Sequence, residues 1–204
     1  GLVGEDGPTH HGVFDVGFLR QIPGMTVLCP ASFAELRSML RWAVSDCTGP
    51  VAIRYPRGNA EVTEDGFASD PSVISACGDS EHVTLISYGT VSAEMFAAAR
   101  LLQEKGIPCA ALRLLSVTAF SADELAEKVQ SRHVFVVEEV CRGSGISGEI
   151  SLSLNQAGKN CKVHAIDLGD GFMTHGDPAS LYRMAGLDRE SIANYVQEVL
   201  RNEN

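Results

Sequence analysis

The chain has 204 residues, enough for one large domain or two small ones with a real core. Sixteen basic against twenty-six acidic side chains give a net charge of −10. That balance excludes sequence-independent nucleic-acid binding, which rests on Lys and Arg neutralising phosphates. No run of eighteen apolar residues occurs, so no spanning helix is expected, and the opening GLVGED lacks the basic and apolar regions of a secretory signal. The six cysteines (Cys29, Cys47, Cys77, Cys109, Cys141, Cys161) contain no CxxC pair. Reduced thiols in a cytoplasmic chain are the expectation.

In chain order, Gly4 to Gly12 comes first. Three glycines and Pro8 make a tight turn that carries Glu5, Asp6, His10 and His11. MTVLCP (25–30) reads as a buried strand closed by Pro30. Ser32 and Glu35 then form a capping box, followed by an apolar stripe of Phe33, Leu36, Leu40, Ala43 and Val44. PVAIRYP supplies the next strand, 51–55, which completes a right-handed βαβ unit on a parallel sheet. Residues 58–80 are rich in Gly, Ser, Asp and Pro and read as a connection between domains. Strands at 83–88, 109–115, 133–139 and 162–168 then alternate with helices. These helices run from Ser92 to Lys105 before Gly106, from the Ser121/Glu124 capping box, from RGSGISG to Leu154, and through Ile192, Tyr195, Val196, Val199 and Leu200. Such alternation implies an α/β fold with a doubly wound, mainly parallel sheet.

Two groups carry candidate chemistry. The Gly4–Gly12 turn is either a solvated loop or a ligand loop at a sheet edge. Arg54 and Arg57 flank Pro56 at the end of strand 51–55, and are either surface cations or a phosphate clamp. Other positions stay modest. Glu138 and Glu139 are expected to be a solvated pair, a helix cap or a dimer contact; Cys141 beside Arg142 could have a lowered thiol pKa; His175 lies in a loop. Gly169-Asp170-Gly171, with Asn194 downstream, mimics a GDG…N diphosphate motif, but reads as a plain turn.

GEDGPTHxG-x-FD, LRxIPGM and PVAIRYPRGN, followed by VVEE and a G-x-G stretch, resemble the thiamine-diphosphate-dependent enzymes of the transketolase group over essentially the whole chain. Within it, the resemblance is to the synthases that join pyruvate to glyceraldehyde 3-phosphate. It implies the end of a pyrimidine-binding domain at 1–65, a linker at 66–81 and a transketolase C-terminal domain at 82–204. It implies that His10 faces the reacting carbon and moves protons. Asp6 would contact the acceptor or orient His10, Arg57 would bind the acceptor's phosphate, and Arg54 would be structural. The implied reaction decarboxylates pyruvate and adds the two-carbon unit to glyceraldehyde 3-phosphate. The product, 1-deoxy-D-xylulose 5-phosphate, feeds isoprenoid, thiamine and pyridoxal precursors. Thiamine diphosphate and magnesium belong to the intact enzyme, a cytoplasmic homodimer, and are held by an N-terminal part upstream of this chain. Alone, the chain should bind neither cofactor nor metal and be inactive. The alternatives are a C-terminal subunit of a split transketolase and a non-catalytic dimerisation module.

Overall fold

The computed structural model describes residues 1–57, 70–72 and 74–202. A 3-10 turn (Gly4–Asp6) and a short helix α1 (Asp15–Leu19) precede a small βαβ unit of β1 (Thr26–Leu28), α2 (Phe33–Ser45) and β2 (Val51–Ile53). β1 and β2 pair in parallel, Val27 opposite Ala52. The capping box forms: Ser32 accepts from the Glu35 N–H at 3.2 Å, and the Glu35 carboxylate accepts from the Ala31 N–H at 2.7 Å.

The expected apolar stripe of α2 does not face the core. Phe33, Leu40 and Val44 are exposed, while Met39 and Glu35 are buried. Arg113 decides this rotation, because its Nη1 lies 2.8 Å from Glu35 and neutralises a carboxylate that periodicity alone would leave outside.

The remaining strands form one sheet. These are β3 (Ile74–Cys77), β4 (Val83–Tyr88), β5 (Cys109–Leu114), β6 (His133–Val137) and β7 (Lys162–Ile166), in the spatial order β3-β5-β4-β6-β7. All neighbours are parallel except β3, which lies antiparallel on β5 with Ile74 opposite Leu114. β3 arises from the stretch expected to be a connection, and the rest of that stretch up to residue 69 lies outside the described residues.

Both faces of the sheet are covered. On one, α3 (Ser92–Glu104), α6 (Pro178–Ala185) and α7 (Arg189–Asn202) pack on Leu85, Phe135 and Val137. On the other, α4 (Ala122–Lys128) and α5 (Ser147–Gln156) pack on Ile86, Tyr88, Val134 and Val136. This is the period-2 alternation of a strand buried on both sides. Gly106, at φ 76°, follows α3 as expected. Helix α6 was not among the expected elements, although Asp177 caps its first turn, Pro178 opens it and Gly186 (φ 72°) ends it.

The two sheets are joined by chain, not only by side chains. After β5, residues 115–118 run back along β1: Cys29 N–H donates to Leu115 O at 2.9 Å and Val117 N–H to Val27 O at 3.1 Å. Leu2 and Val13 enter one core cluster; Val16, Val27 and Cys29 enter the other. Among the described residues, no helix is long and apolar enough to cross a membrane.

Candidate active site

Helices α3 and α5 leave the neighbouring strands β4 and β6 on opposite faces of the sheet, so a crevice opens at the strands' carboxyl ends. The first loop of the chain lies in this crevice. The Leu2 N–H donates to the buried Glu139 carboxylate at 2.6 Å. Arg54, just past β2, gives one Nη2 to two carbonyls, Gly12 O and Glu139 O, each at 3.0 Å, and its Nε to Asp15 at 2.8 Å. Burial alone would lower its pKa, but the Asp15 and Glu139 charges hold it above the usual value. Arg54 is therefore a structural cation, as expected. It clamps the loop to the second sheet.

Within the loop, Gly4 (φ 71°) and Gly7 (φ 70°) take backbone conformations that side chains rarely adopt. A Cβ on Gly7 would also come within 3.2 Å of the His175 Cβ. Asp6 and Arg57, fifty-one positions apart, form an ion pair at the surface. His10, four residues beyond Asp6 in the same turn, is exposed, with Nδ1 3.0 Å from Thr9 Oγ1. The turn thus carries a carboxylate and an imidazole, and the Arg57 guanidinium meets it through Asp6. An exposed pair of this kind contributes little stability. What it supplies is a fixed guanidinium, since one carboxylate occupies only part of a five-donor fork.

His11 was given no role by sequence reasoning. It is buried; Val3 N–H donates to its Nδ1 at 3.0 Å, and its Nε2 lies 3.0 Å from Thr174 O. The signal was present, because two adjacent histidines in a tight turn point to different sides.

Glu138 and Glu139 are not solvated: both are buried. Glu138 caps α5, accepting from Ile146 N–H at 2.6 Å and Ser147 N–H at 3.2 Å, and from the Tyr88 hydroxyl at 3.0 Å. Burial pushes its carboxyl pKa up, the three donors offsetting part of the shift. The Cys141 thiol is raised, not lowered, by burial and by Asp167 and Asp170, so it is no activated nucleophile. His175 is exposed in the loop that covers Gly7.

The described residues do not fit a magnesium-bound diphosphate. Among them no three His, Cys, Asp or Glu side chains group as metal ligands. Asp170 of the GDG segment is paired instead with Arg142 at 2.8 Å.

Comparison with known proteins agrees with this architecture. Residues 1–63 match the family described as transketolase, pyrimidine binding domain, and residues 76–192 the transketolase C-terminal domain. Curated relatives named 1-deoxy-D-xylulose-5-phosphate synthase include those of Chlorobium phaeovibrioides, 36% identical over 97% of this chain, and Chlorobium luteolum, 37% identical over 98%. In each, the match spans about a third of the relative, 32%. Among solved structures, a "split gene transketolase, inactive beta4 tetramer" superposes with a TM-score of 0.81 at 24% identity, covering 95% of this chain and 63% of that one. The transketolase of Campylobacter jejuni gives 0.75 at 20% identity, covering 96% and 29%. At these identities the two structures speak for the fold.

Proposed function

The chain belongs to the transketolase family, and on that premise we propose that it is the carboxyl-terminal third of a thiamine-diphosphate-dependent synthase. The synthase condenses pyruvate, with loss of carbon dioxide, and glyceraldehyde 3-phosphate to 1-deoxy-D-xylulose 5-phosphate, a precursor for isoprenoids, thiamine and pyridoxal. The curated relatives that match over nearly the whole chain support this reading. Thiamine diphosphate and magnesium are held by the N-terminal part of the same enzyme, which works as a cytoplasmic homodimer; this chain alone turns nothing over. In this reading the pyrimidine-binding part ends at about residue 65, residues 66–81 link the domains, and the C-terminal domain spans 82–204.

One observation carries the assignment of roles: Arg57 and Asp6 meet on the loop that bears His10. Arg57 receives the acceptor's phosphate. Asp6 holds the guanidinium in place until the dianion arrives and then competes poorly with it, since a phosphate offers more charge and more acceptor oxygens. In an acidic chain with net charge −10, phosphate capture needs a local cation of this kind. His10, exposed on the same turn, contacts the reacting oxygen and holds or passes its proton.

In the full-length enzyme, Arg57→Ala raises KM for glyceraldehyde 3-phosphate about tenfold or more while KM for pyruvate stays near wild type, the signature of lost substrate binding. An equal rise for both substrates contradicts the phosphate role. His10→Ala lowers kcat about 100-fold or more with the thermal transition intact; a lost transition makes it a structural residue.

A further inference from the structure

The crevice between β4 and β6 is where open α/β sheets usually receive a ligand. Here it receives the protein's own first loop, through Arg54 and Leu2 as described. A second grip lies on the far side of the loop, where residues 174–176 of the C-terminal domain run against it. The Gly176 N–H donates to Gly4 O at 3.3 Å, His175 closes over Gly7, and the Thr174 carbonyl faces the His11 ring. Among the described residues, the His11 side chain bridges from inside the loop to that segment.

We propose that His11 is a positioning residue. It ties the turn bearing Asp6 and His10 to residues 174–176, so that the C-terminal domain sets the geometry of the groups facing substrate. The proposal rests on the reading of Asp6, His10 and Arg57 given above. Its chemistry is determined by the two bonds. A backbone N–H can only donate, so Nδ1, which accepts from Val3, carries no proton. Nε2 must then carry it and donate to the Thr174 carbonyl, 163 residues away in sequence. Only the neutral ring with its proton on Nε2 satisfies both partners. The ring is buried and His10 beside it is exposed, so the same backbone turn that seats one imidazole aims the other outward. Removing the ring leaves a backbone donor and a backbone acceptor without their partner and frees the turn to shift. Shifts of about 1 Å in a positioning element can cost on the order of 100-fold in rate.

Two near-isosteric variants separate the bonds. Asn carries an oxygen near the place of Nδ1 and keeps the Val3 bond alone. Gln carries an amide nitrogen near the place of Nε2 and keeps the Thr174 bond alone. If the link between domains is what matters, Gln rescues and Asn does not. The experiment measures kcat and KM of the full-length enzyme for His11→Ala, His11→Asn and His11→Gln, with thermal midpoints beside them. Nitrogen-15 NMR of the histidine rings is recorded on the 204-residue chain itself. The expected result is a kcat lower by about 10- to 100-fold in the Ala and Asn variants with KM little changed, a Gln variant within about threefold of wild type, and an Nε2–H tautomer for His11. Full turnover in His11→Ala, equal damage in the Gln and Asn variants, or an Nδ1–H tautomer overturns the proposal. His10→Ala separates this from the functional reading. If that variant turns over normally, the assignment of His10 falls whatever His11 does, and the tautomer still tests the link.

Discussion

The two sheets use their faces in opposite ways. Every residue of β4 and β6 is buried, with helices on both sides, whereas β2 is half-buried throughout and α2 leaves Phe33, Leu40 and Val44 to solvent. The five-stranded sheet draws most of its core from its own strands and helices. The two-stranded unit has a small cluster of Leu28, Met39 and Leu115, one member of which comes from the chain just past β5. The lesson is that the first part gains order by insertion: its loop fills the crevice at β4 and β6, and β1 is bonded to the chain that follows β5. The residues proposed to face substrate are thus carried by the less self-sufficient region and held by the more self-sufficient one.

Phe135, fully buried and in ring contact with His164 and Tyr195, belongs to the core of the five-stranded sheet. Phe135→Ala should cost about 3–5 kcal/mol by urea unfolding, while Leu40→Ala on the exposed face of α2 should change stability by less than about 0.5 kcal/mol. Similar losses at both sites would erase the contrast. Next comes the clamp between the regions. Arg54→Ala leaves Asp15 without its cation and should cost about 3 kcal/mol. It should also separate the regions, Trp42 of α2 changing fluorescence at lower urea than the ellipticity at 222 nm.

A smaller effect lies inside the second sheet. The folded-state pKa of Glu138 is raised, chiefly by burial. The folded chain therefore binds this proton more readily than the unfolded one. The group's contribution is fully present below the ordinary glutamate pKa and is lost as pH rises through the raised value. Glu138→Gln should remove that slope, at most about 1.4 kcal/mol per pH unit, in melts from about pH 4 upward. A wild type that gains stability over the same window relative to the variant contradicts the assignment. The smallest effect is at the surface. Arg189 pairs with Glu94 at 2.8 Å and lowers the Glu94 pKa, so the pair stabilises above the ordinary carboxylate range and fades as pH falls. Solvent screens it, and Arg189→Ala should cost under about 1 kcal/mol at neutral pH.

Much of the second sheet was legible because β4 to β7 are apolar runs separated by helices with their own caps, such as Ser121 before α4 and Gly106 after α3. Short elements were not. Helix α6 has eight residues, and β3 is four residues within a stretch rich in turn formers. The rotation of α2 was hidden for another reason: Glu35 is buried by Arg113, seventy-eight positions away, and no local period encodes such a pair. The site divides the same way. GEDGPTH and RYPRG mark Asp6, His10 and Arg57, while Arg54 and His11 each take one further partner, Glu139 O and Thr174 O, from distant chain that only the fold brings near.

Equilibrium unfolding of the wild-type chain, followed by both probes, tests the account most directly. Trp42 is the only tryptophan and reports the first region, while the far-ultraviolet ellipticity is dominated by helices of the second. If the first region is held by insertion into the crevice, the two curves share one midpoint and one slope. A Trp42 transition complete before the ellipticity moves would show the regions folding independently, and the claim that one positions the other would fail.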